Sequence, residues 1–376
     1  MNDNGFVPWD ALVNGEAHNG CRAVVIVPAR NEEASIGEML DALANQVDLN
    51  GRPLEASTIE ILLLLNNCTD STAAVAYRWK GDHPRMALHI VERTLASHEA
   101  NVGTARRMLM DTAWRRLNGR SSVCGILSTD SDTQVATDWV MQNMAALEAG
   151  ADAVGGVIAM KKGEAETLPS GVRRAYRRDR RYQRLVAQLE DRLDPQDGDP
   201  WPRHLEHFGA SLAVTPEAYA RAGGMPPVTP LEDVAFVSEL RRVGAKLRHQ
   251  PEVKVYTSSR MHGRVEVGLS GQLKIWNEMS ERAEPHEVQS AAWLAHRFRT
   301  LGRLRKEAAK RGIAAAAHLA EVDCDRIVVE TFRGVMWGEI TRVNRSLASM
   351  LRGNVPTGRA DTRRGAAGRA HATGAS

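Results

Sequence analysis

Short, mainly apolar runs punctuate the first 160 residues, at 23–27, 59–65, 88–92, 123–127 and 153–159. Each has the length of a strand and is far too short to cross a membrane. Between them the apolar positions change period. Ile36, Met39, Leu40 and Leu43 recur at helical spacing, as do Ala105, Leu109, Ala113 and Leu117, and Val140, Met144 and Leu147 within 137–149. A further helix runs through Trp79, and 45–57 is polar enough for a loop. Strand alternating with helix predicts an α/β fold, a mostly parallel twisted sheet covered by helices on both faces. The uninterrupted apolar character of the strands fits such a sheet, whose strands are buried from both sides.

After residue 160 the pattern loosens. Residues 161–205 form an Arg-rich insertion in which Arg173, Arg174, Arg177, Arg178, Arg180, Arg181 and Arg184 crowd into one helix. That helix reads either as a solvated face with intrahelical pairs to Asp179 and Glu190 or as a platform for an anionic group. Thr215-Pro216-Glu217 starts a helix, with Thr as cap and Pro in the first turn, and Gly223-Gly224 ends it. A rigid loop over 226–230 delivers Glu232 and Asp233 to the start of the next helix, which carries Val234, Val237 and Leu240 and stops at Gly244. A strand at 253–258 follows. Beyond Gly271 the pattern is helical, at 292–304, 314–322 and 327–350. The chain thus divides into a loose lead-in (1–20), an α/β domain (21–265), a helical extension (266–352) and a basic tail (353–376). The tail has almost no large apolar residue, which predicts disorder.

Composition narrows the class. Of 376 residues, 25% are charged and 43% hydrophobic, as in soluble globular proteins. A formal net charge of +3 is too small to argue for nucleic acid. Cys21, Cys68, Cys124 and Cys324 lie far apart without metal-type spacing and read as reduced core residues. The first twenty residues contain Asp3, Asp10 and Glu16 but no Lys or Arg, unlike a signal peptide. A cytoplasmic protein with no transmembrane segment is expected.

The candidate chemistry gathers at Leu127-Ser128-Thr129-Asp130-Ser131-Asp132-Thr133, which closes the fourth strand. Residues two apart on an extended chain point the same way. Asp130 and Asp132 would therefore project together from the carboxyl end of a strand, where open α/β sheets bind ligands. Two convergent carboxylates repel each other unless a cation lies between them, and hard oxygens suit Mg²⁺ or Mn²⁺. The same residues also suit a turn, with one Asp capping a helix. No Gly-x-Gly-x-x-Gly follows the first strand, which argues against a dinucleotide cofactor.

Pro28-Ala29-Arg30-Asn31-Glu32-Glu33, Asn66-Asn67-Cys68-Thr69-Asp70-Ser71-Thr72, Asp130-Ser131-Asp132 and Leu231-Glu232-Asp233 occur in that order, each beside a predicted strand end or helix start. The set resembles family 2 glycosyltransferases over roughly residues 22–265. The resemblance implies a GT-A fold, a nucleotide-diphospho-sugar donor and a divalent metal. It implies that Pro28, Ala29, Arg30 and Glu32 line the base and ribose, with Glu32 accepting from ribose hydroxyls. Asn67 and Asp70 would lie at the base. Asn at 66 and 67 departs from the family's more usual Asp and leaves uracil or guanine open. Arg106 would pair with the diphosphate or orient the Asp-x-Asp turn. Asp132 would hold the metal, and Asp130 the ribose or a metal-bound water. Asp233, with Glu232 beside it, would be the general base toward an acceptor hydroxyl. Arg260 and Arg264 would clamp the diphosphate, with His262 as a third metal ligand. His204 and His207, three apart, would share a helix face in the acceptor wall.

The expected function is metal-dependent transfer of a sugar from a UDP- or GDP-sugar to an acceptor hydroxyl, with inversion. The Arg-rich insertion suggests an anionic acceptor, and the 270–350 helices leave room for a homodimer. Two alternatives differ in class. A nucleotidyltransferase would begin with a Gly-rich loop and a Lys, which this first strand lacks. A non-catalytic nucleic-acid-binding or scaffold protein would use the Arg-rich helix and basic tail, a reading the near-neutral balance weakens.

Overall fold

The computed structural model describes residues 6–161, 163–228, 230–259, 268–311, 328 and 331–352. Its first half alternates as expected. Strands β1 (Ala23–Ala29), β2 (Ile59–Asn66), β3 (Ala87–Arg93) and β4 (Gly125–Ser128) lie parallel in the order β3-β2-β1-β4. The helices α1 (Ile36–Ala44), α2 (Thr72–Asp82) and α3 (Val102–Leu117) connect them. The strand order turns back between β1 and β4, so their carboxyl ends flank a crevice.

Beyond β4 come β5 (Thr133–Val135), α4 (Trp139–Glu148), β6 (Ala153–Met160), α5 (Glu164–Thr167), α6 (Ser170–Leu193), β7 (Leu212–Val214), α7 (Pro216–Arg221), α8 (Glu232–Arg242) and β8 (Leu247–Thr257). They extend the sheet as β4-β7-β6-β8-β5. β7 is antiparallel to both its neighbours, β6 and β8 are parallel, and β5 closes the edge antiparallel to β8. The sheet is therefore mostly parallel, as expected, with short antiparallel strands that sequence periodicity did not reveal. Three residues, the length of β5 or β7, show too few alternations to be read.

Both faces of the sheet are covered, and residue parity on β1 and β2 decides which face a side chain enters. Val24, Ile26, Leu62 and Leu64 pack with α3, α7 and α8. Val25, Val27, Ile61, Leu63 and Leu65 pack with α1, α2 and α4. This is the two-sided burial that produces continuous apolar strands.

The remaining elements are α9 (Leu269–Glu281), β9 (Glu287–Gln289), α10 (Ala291–Lys310), β10 (Trp337–Glu339) and α11 (Ile340–Leu351). They are organised on α6. Tyr182, Val186 and Leu189 of α6 meet Trp293, Leu294 and Phe298 of α10 and Ile340, Val343 and Leu347 of α11. Val172 near its start meets Leu273 and Trp276 of α9. The Arg-rich helix is thus the frame of the C-terminal helices.

Two sequence readings are corrected. The helix expected over 327–350 does not run through: Trp337–Glu339 is a strand paired with β9, and the helix begins at Ile340. Gly334 and Gly338 disfavour a continuous helix, and Glu339 caps the new one by accepting the Thr341 and Arg342 N–H groups. From Phe6 onward the lead-in is docked rather than loose. Phe6 packs edge-on against Trp114 and Tyr219, and the Trp9 N–H donates to Asp111 at 3.0 Å. The expected helix at 314–322 and the tail at 353–376 lie outside the described residues. Among the described residues no helix is long and apolar enough to cross a membrane.

Candidate active site

β4 ends at Ser128, and Asp130–Thr133 makes a tight turn in which the Thr133 N–H donates to the Asp130 carbonyl at 3.2 Å. The two aspartates are therefore displayed on a turn, not on an extended strand end. Asp132 and Asp130 still share one electrostatic cluster with Glu232 and Asp233.

At its centre lies Arg106. Asn101 caps α3 by accepting the Thr104 N–H at 2.9 Å, and Arg106 follows one turn into the helix. Gly103 lets this helix start approach the loop before α8: a Cβ there would stand 2.5 Å from the Val228 carbonyl oxygen. The buried Arg106 donates from Nη2 to Asp130 Oδ1 at 2.6 Å and from Nη1 to Glu232 Oε1. Its Nε has no hydrogen-bond partner among the described residues.

α8 enters the site through a strained residue. Leu231 has φ 69°, the left-handed region that costs a non-glycine residue about 1 kcal/mol or more. That bend places Glu232 under Arg106 and turns Asp233 toward the segment before β7. Asp233 Oδ2 accepts the Gly209 N–H at 2.7 Å, and Oδ1 accepts its own helix's Val234 N–H at 2.8 Å. Gly209 is held from the other side, its carbonyl accepting Ser128 Oγ at 2.7 Å.

Three carboxylates, Asp130, Glu232 and Asp233, thus act on one guanidinium, and Asp132 acts on Asp130. Burial, then Asp132, Asp233 and Glu232, push the Asp130 carboxyl up to about 6 against the opposing pull of Arg106. Its side chain nevertheless keeps 38% of its surface exposed. Such surplus negative charge beside solvent fits a divalent cation, since Mg²⁺-type ions take one or two carboxylates and complete their shell with phosphate oxygens and water. Among the described residues no group of three or more His, Cys, Asp or Glu is arranged to hold a metal. Asp130 and Asp132 would act as a protein pair. His262, Arg260 and Arg264 lie outside the described residues.

The expected base and ribose residues form one interlocked unit after β1 and β2. Thr69 N–H donates to Asn31 Oδ1 at 2.7 Å, Glu33 N–H to Asp70 Oδ2 at 3.2 Å, and Ser71 N–H to Glu33 Oε2 at 2.9 Å. Burial pushes Asp70 up, but the Thr72 hydroxyl and N–H outweigh it and hold the carboxyl below its usual range. Glu32 is buried, with Oε2 accepting from Ser35 Oγ at 2.7 Å. Asn67 spends its side-chain amide on the Leu95 backbone, donating and accepting at 3.0 Å. Arg30 is exposed and donates to the Ala100 carbonyl at 3.2 Å. Pro28 and Ala29 are the last residues of β1.

The acceptor side differs from expectation. Residues 203–208 have no regular secondary structure, so His204 and His207 share no helix face. Both instead gather on His249 of β8. His207 Nδ1 lies 3.0 Å from His249 Nε2, and His249 Nδ1 lies 2.6 Å from Asp199 Oδ2. Burial, then the neighbouring His249, push His204 and His207 down to about 3. Gly209, Asp199 and His249 were not singled out from the sequence. β8 begins at Leu247, six residues upstream of the expected strand, and so brings His249 into the sheet. No sequence signal marked Gly209.

Residues 24–193 match the family model for Glycosyl transferase family 2. No curated protein matches the chain. Among solved structures it is similar to the mannosyltransferase PcManGT from Pyrobaculum calidifontis in complex with GDP-Man and Mn²⁺, at 17% identity over 93% of this chain and 85% of that one, TM-score 0.46. It is also similar to TarS 1-349 from S. aureus, at 12% identity over 81% and 91%, TM-score 0.41. A third is glucosyl-3-phosphoglycerate synthase from Mycobacterium tuberculosis in complex with Mn²⁺, UDP and phosphoglyceric acid, at 20% identity over 74% and 86%, TM-score 0.37.

Proposed function

We propose that this chain, whose residues 24–193 match the glycosyl transferase family 2 model, is a glycosyltransferase that moves a sugar from a UDP- or GDP-linked donor to an acceptor hydroxyl, with inversion at the anomeric carbon. The observation that carries the reading is that Arg106 hydrogen-bonds both Asp130 and Glu232, with Asp233 in the same electrostatic cluster. It joins the crevice end of β4 to the start of α8.

Asp130 and Asp132 would hold a divalent cation with the donor diphosphate. Such an ion supplies charge stabilisation to the departing nucleoside diphosphate, worth several kcal/mol, or about tenfold in rate for each 1.36 kcal/mol. Arg106 fixes Asp130 and Glu232, so the acidic cluster keeps its shape as charge changes. Glu232 is a positioning residue, buried under Arg106. Asp233 acts as the base. As the acceptor oxygen bonds to the anomeric carbon, its proton passes to Asp233 and the bond to the diphosphate oxygen breaks. The Gly209 and Val234 N–H groups, one on each oxygen, hold the Asp233 carboxylate in place. Arg180, the α6 arginine that reaches the 203–208 segment, is already paired with Glu206 and is not assigned to an acceptor group.

Calorimetric titration with UDP and with GDP, each with and without Mn²⁺, tests the reading on the wild type and on Asp132→Ala. Mn²⁺-dependent binding of one nucleotide, lost in the variant, is expected. No binding of either nucleotide under any condition would remove the reading.

A further inference from the structure

Three consecutive large apolar residues stand in water at one edge of the molecule. Val335 is 76% exposed, Met336 37% and Trp337 54%. The same stretch of chain buries Ile340, Val343 and Leu347 a few residues later, so it has a core within reach. Consecutive exposed apolar residues have no folding rationale and mark an interaction surface.

The backbone that displays them is pinned. Ser290 Oγ donates to the Val335 carbonyl at 2.6 Å, and the Ser290 N–H donates to the Met336 carbonyl at 2.7 Å. Trp337 then pairs with Gln289 in the β9–β10 ribbon. The three side chains are presented on an ordered edge.

The neighbouring helix is cationic. On α6, Arg174, Arg177, Arg178, Arg181 and Arg184 are all exposed. At 100° per residue they form one stripe roughly 120° wide, opposite the buried face. Among the described residues none of the five is in an ion pair. Tyr182 on the same helix donates its hydroxyl to the Gln289 carbonyl at 3.4 Å, directly across the ribbon from Trp337. Asn344 of α11 donates to the Arg178 carbonyl at 3.1 Å. These contacts lock the ribbon to the arginine-bearing half of α6. Arg342 and Arg345 add exposed cations just after the ribbon, and Glu287 is its one exposed carboxylate among the described residues.

We propose that the Val335–Met336–Trp337 edge and the α6 arginine stripe form a docking surface for an anionic lipid bilayer. A Trp flanked by aliphatic side chains suits the headgroup boundary, where an amphipathic ring is stabilised. A surrounding set of arginines suits the negative potential of an anionic leaflet. Two copies of this chain fit the surface poorly, because a two-fold interface would set arginine stripe against arginine stripe. The contact is peripheral, since no described helix can cross a membrane.

The test is sedimentation of the full chain with vesicles of phosphatidylcholine alone and of phosphatidylcholine mixed with phosphatidylglycerol. The wild type is expected to pellet with the mixed vesicles only, and to be released by added salt. Val335→Ser with Trp337→Ser should reduce pelleting at least tenfold, as should Arg177→Gln with Arg181→Gln and Arg184→Gln. All five positions are exposed, so the thermal midpoint should stay at its wild-type value in both variants. Absence of pelleting with mixed vesicles overturns the proposal. So does pelleting that the arginine variant loses and the Val/Trp variant keeps, which would mark a site for a soluble polyanion. A dimer seen by light scattering that Trp337→Ser dissolves would make the patch a subunit interface and overturn it as well.

Discussion

Gly209 lies flat against the Arg106 guanidinium: a Cβ placed on it would stand 2.3 Å from Arg106 Cζ. The same glycine donates its N–H to Asp233 at 2.7 Å. One backbone unit therefore sets both the charge hub and the candidate base. Gly209→Ala should displace both, and a displacement near 1 Å at a reacting group can cost about 10²-fold in rate. A fall of that order in kcat/KM with nucleotide binding retained is expected. Wild-type turnover in Gly209→Ala would show that neither group needs this position.

Arg106 serves two carboxylates from two nitrogens of one planar group. Lysine offers a single compact charge and cannot reproduce that fork. Arg106→Lys should fold but lose at least tenfold in kcat. Arg106→Met removes the charge altogether and strands the buried Glu232, at a cost of about 3 to 5 kcal/mol. Urea unfolding of the two variants separates the effects; equal stability losses in both would point to packing rather than charge.

The parallel half of the sheet was legible because its strands are buried on both sides and its helices on one. β1 and β2 show every residue apolar or nearly so, and Ile36, Met39, Leu40 and Leu43 are all buried on α1 as their spacing required. Acidic residues at strand ends were legible for the same reason: a charge directly after an apolar run has few structural uses. What escaped were contacts made across the chain. Gly209 meets Arg106 from more than a hundred residues away, and His249 meets His207 from a neighbouring strand. Periodicity cannot report such pairs. Asn67 shows a use that its type did not announce: its side-chain amide donates once and accepts once on the Leu95 backbone.

The raised Asp130 carboxyl makes cation binding pH-dependent. At about 6, it is protonated below that value and ionised above it. Protons and the cation then compete, so binding of Mn²⁺ with UDP or GDP should weaken as pH falls from about 7 to about 5. Folding shows the opposite sign. The native state keeps this proton to a higher pH than the unfolded chain, whose Asp titrates near 3.9. Its stabilising contribution is complete below that value and lost as pH rises through about 6. Asp130→Asn should flatten both profiles between pH 5 and 7; profiles parallel to the wild type would assign the titration to another group.

Glu60 and Arg116 provide the contrasting buried pair, remote from the chemistry. Both side chains are almost fully buried, at 2% and 5% exposure, and Arg116 Nη2 donates to Glu60 Oε2 at 2.6 Å. Burial alone would raise the Glu60 carboxyl. His89, the His18 N–H and Arg116 more than offset it and bring the value down to about 2. Arg116 also donates to the Asn14 and Gly15 carbonyls, at 3.2 and 3.0 Å, so the pair fastens the lead-in. Glu60→Gln leaves the arginine buried without a counter-charge and should cost about 3 kcal/mol at pH 7. The sign with pH follows from the lowered value. Glu60 stabilises fully above its unfolded value near 4.3, and loses that contribution as pH falls toward 2. The gap between wild type and variant in urea unfolding should therefore narrow between about pH 4 and pH 2, and amide exchange at residues 14–18 should quicken in the variant at pH 7. A gap that stays constant down to pH 2 would mean that the loss comes from packing and not from the ionised pair.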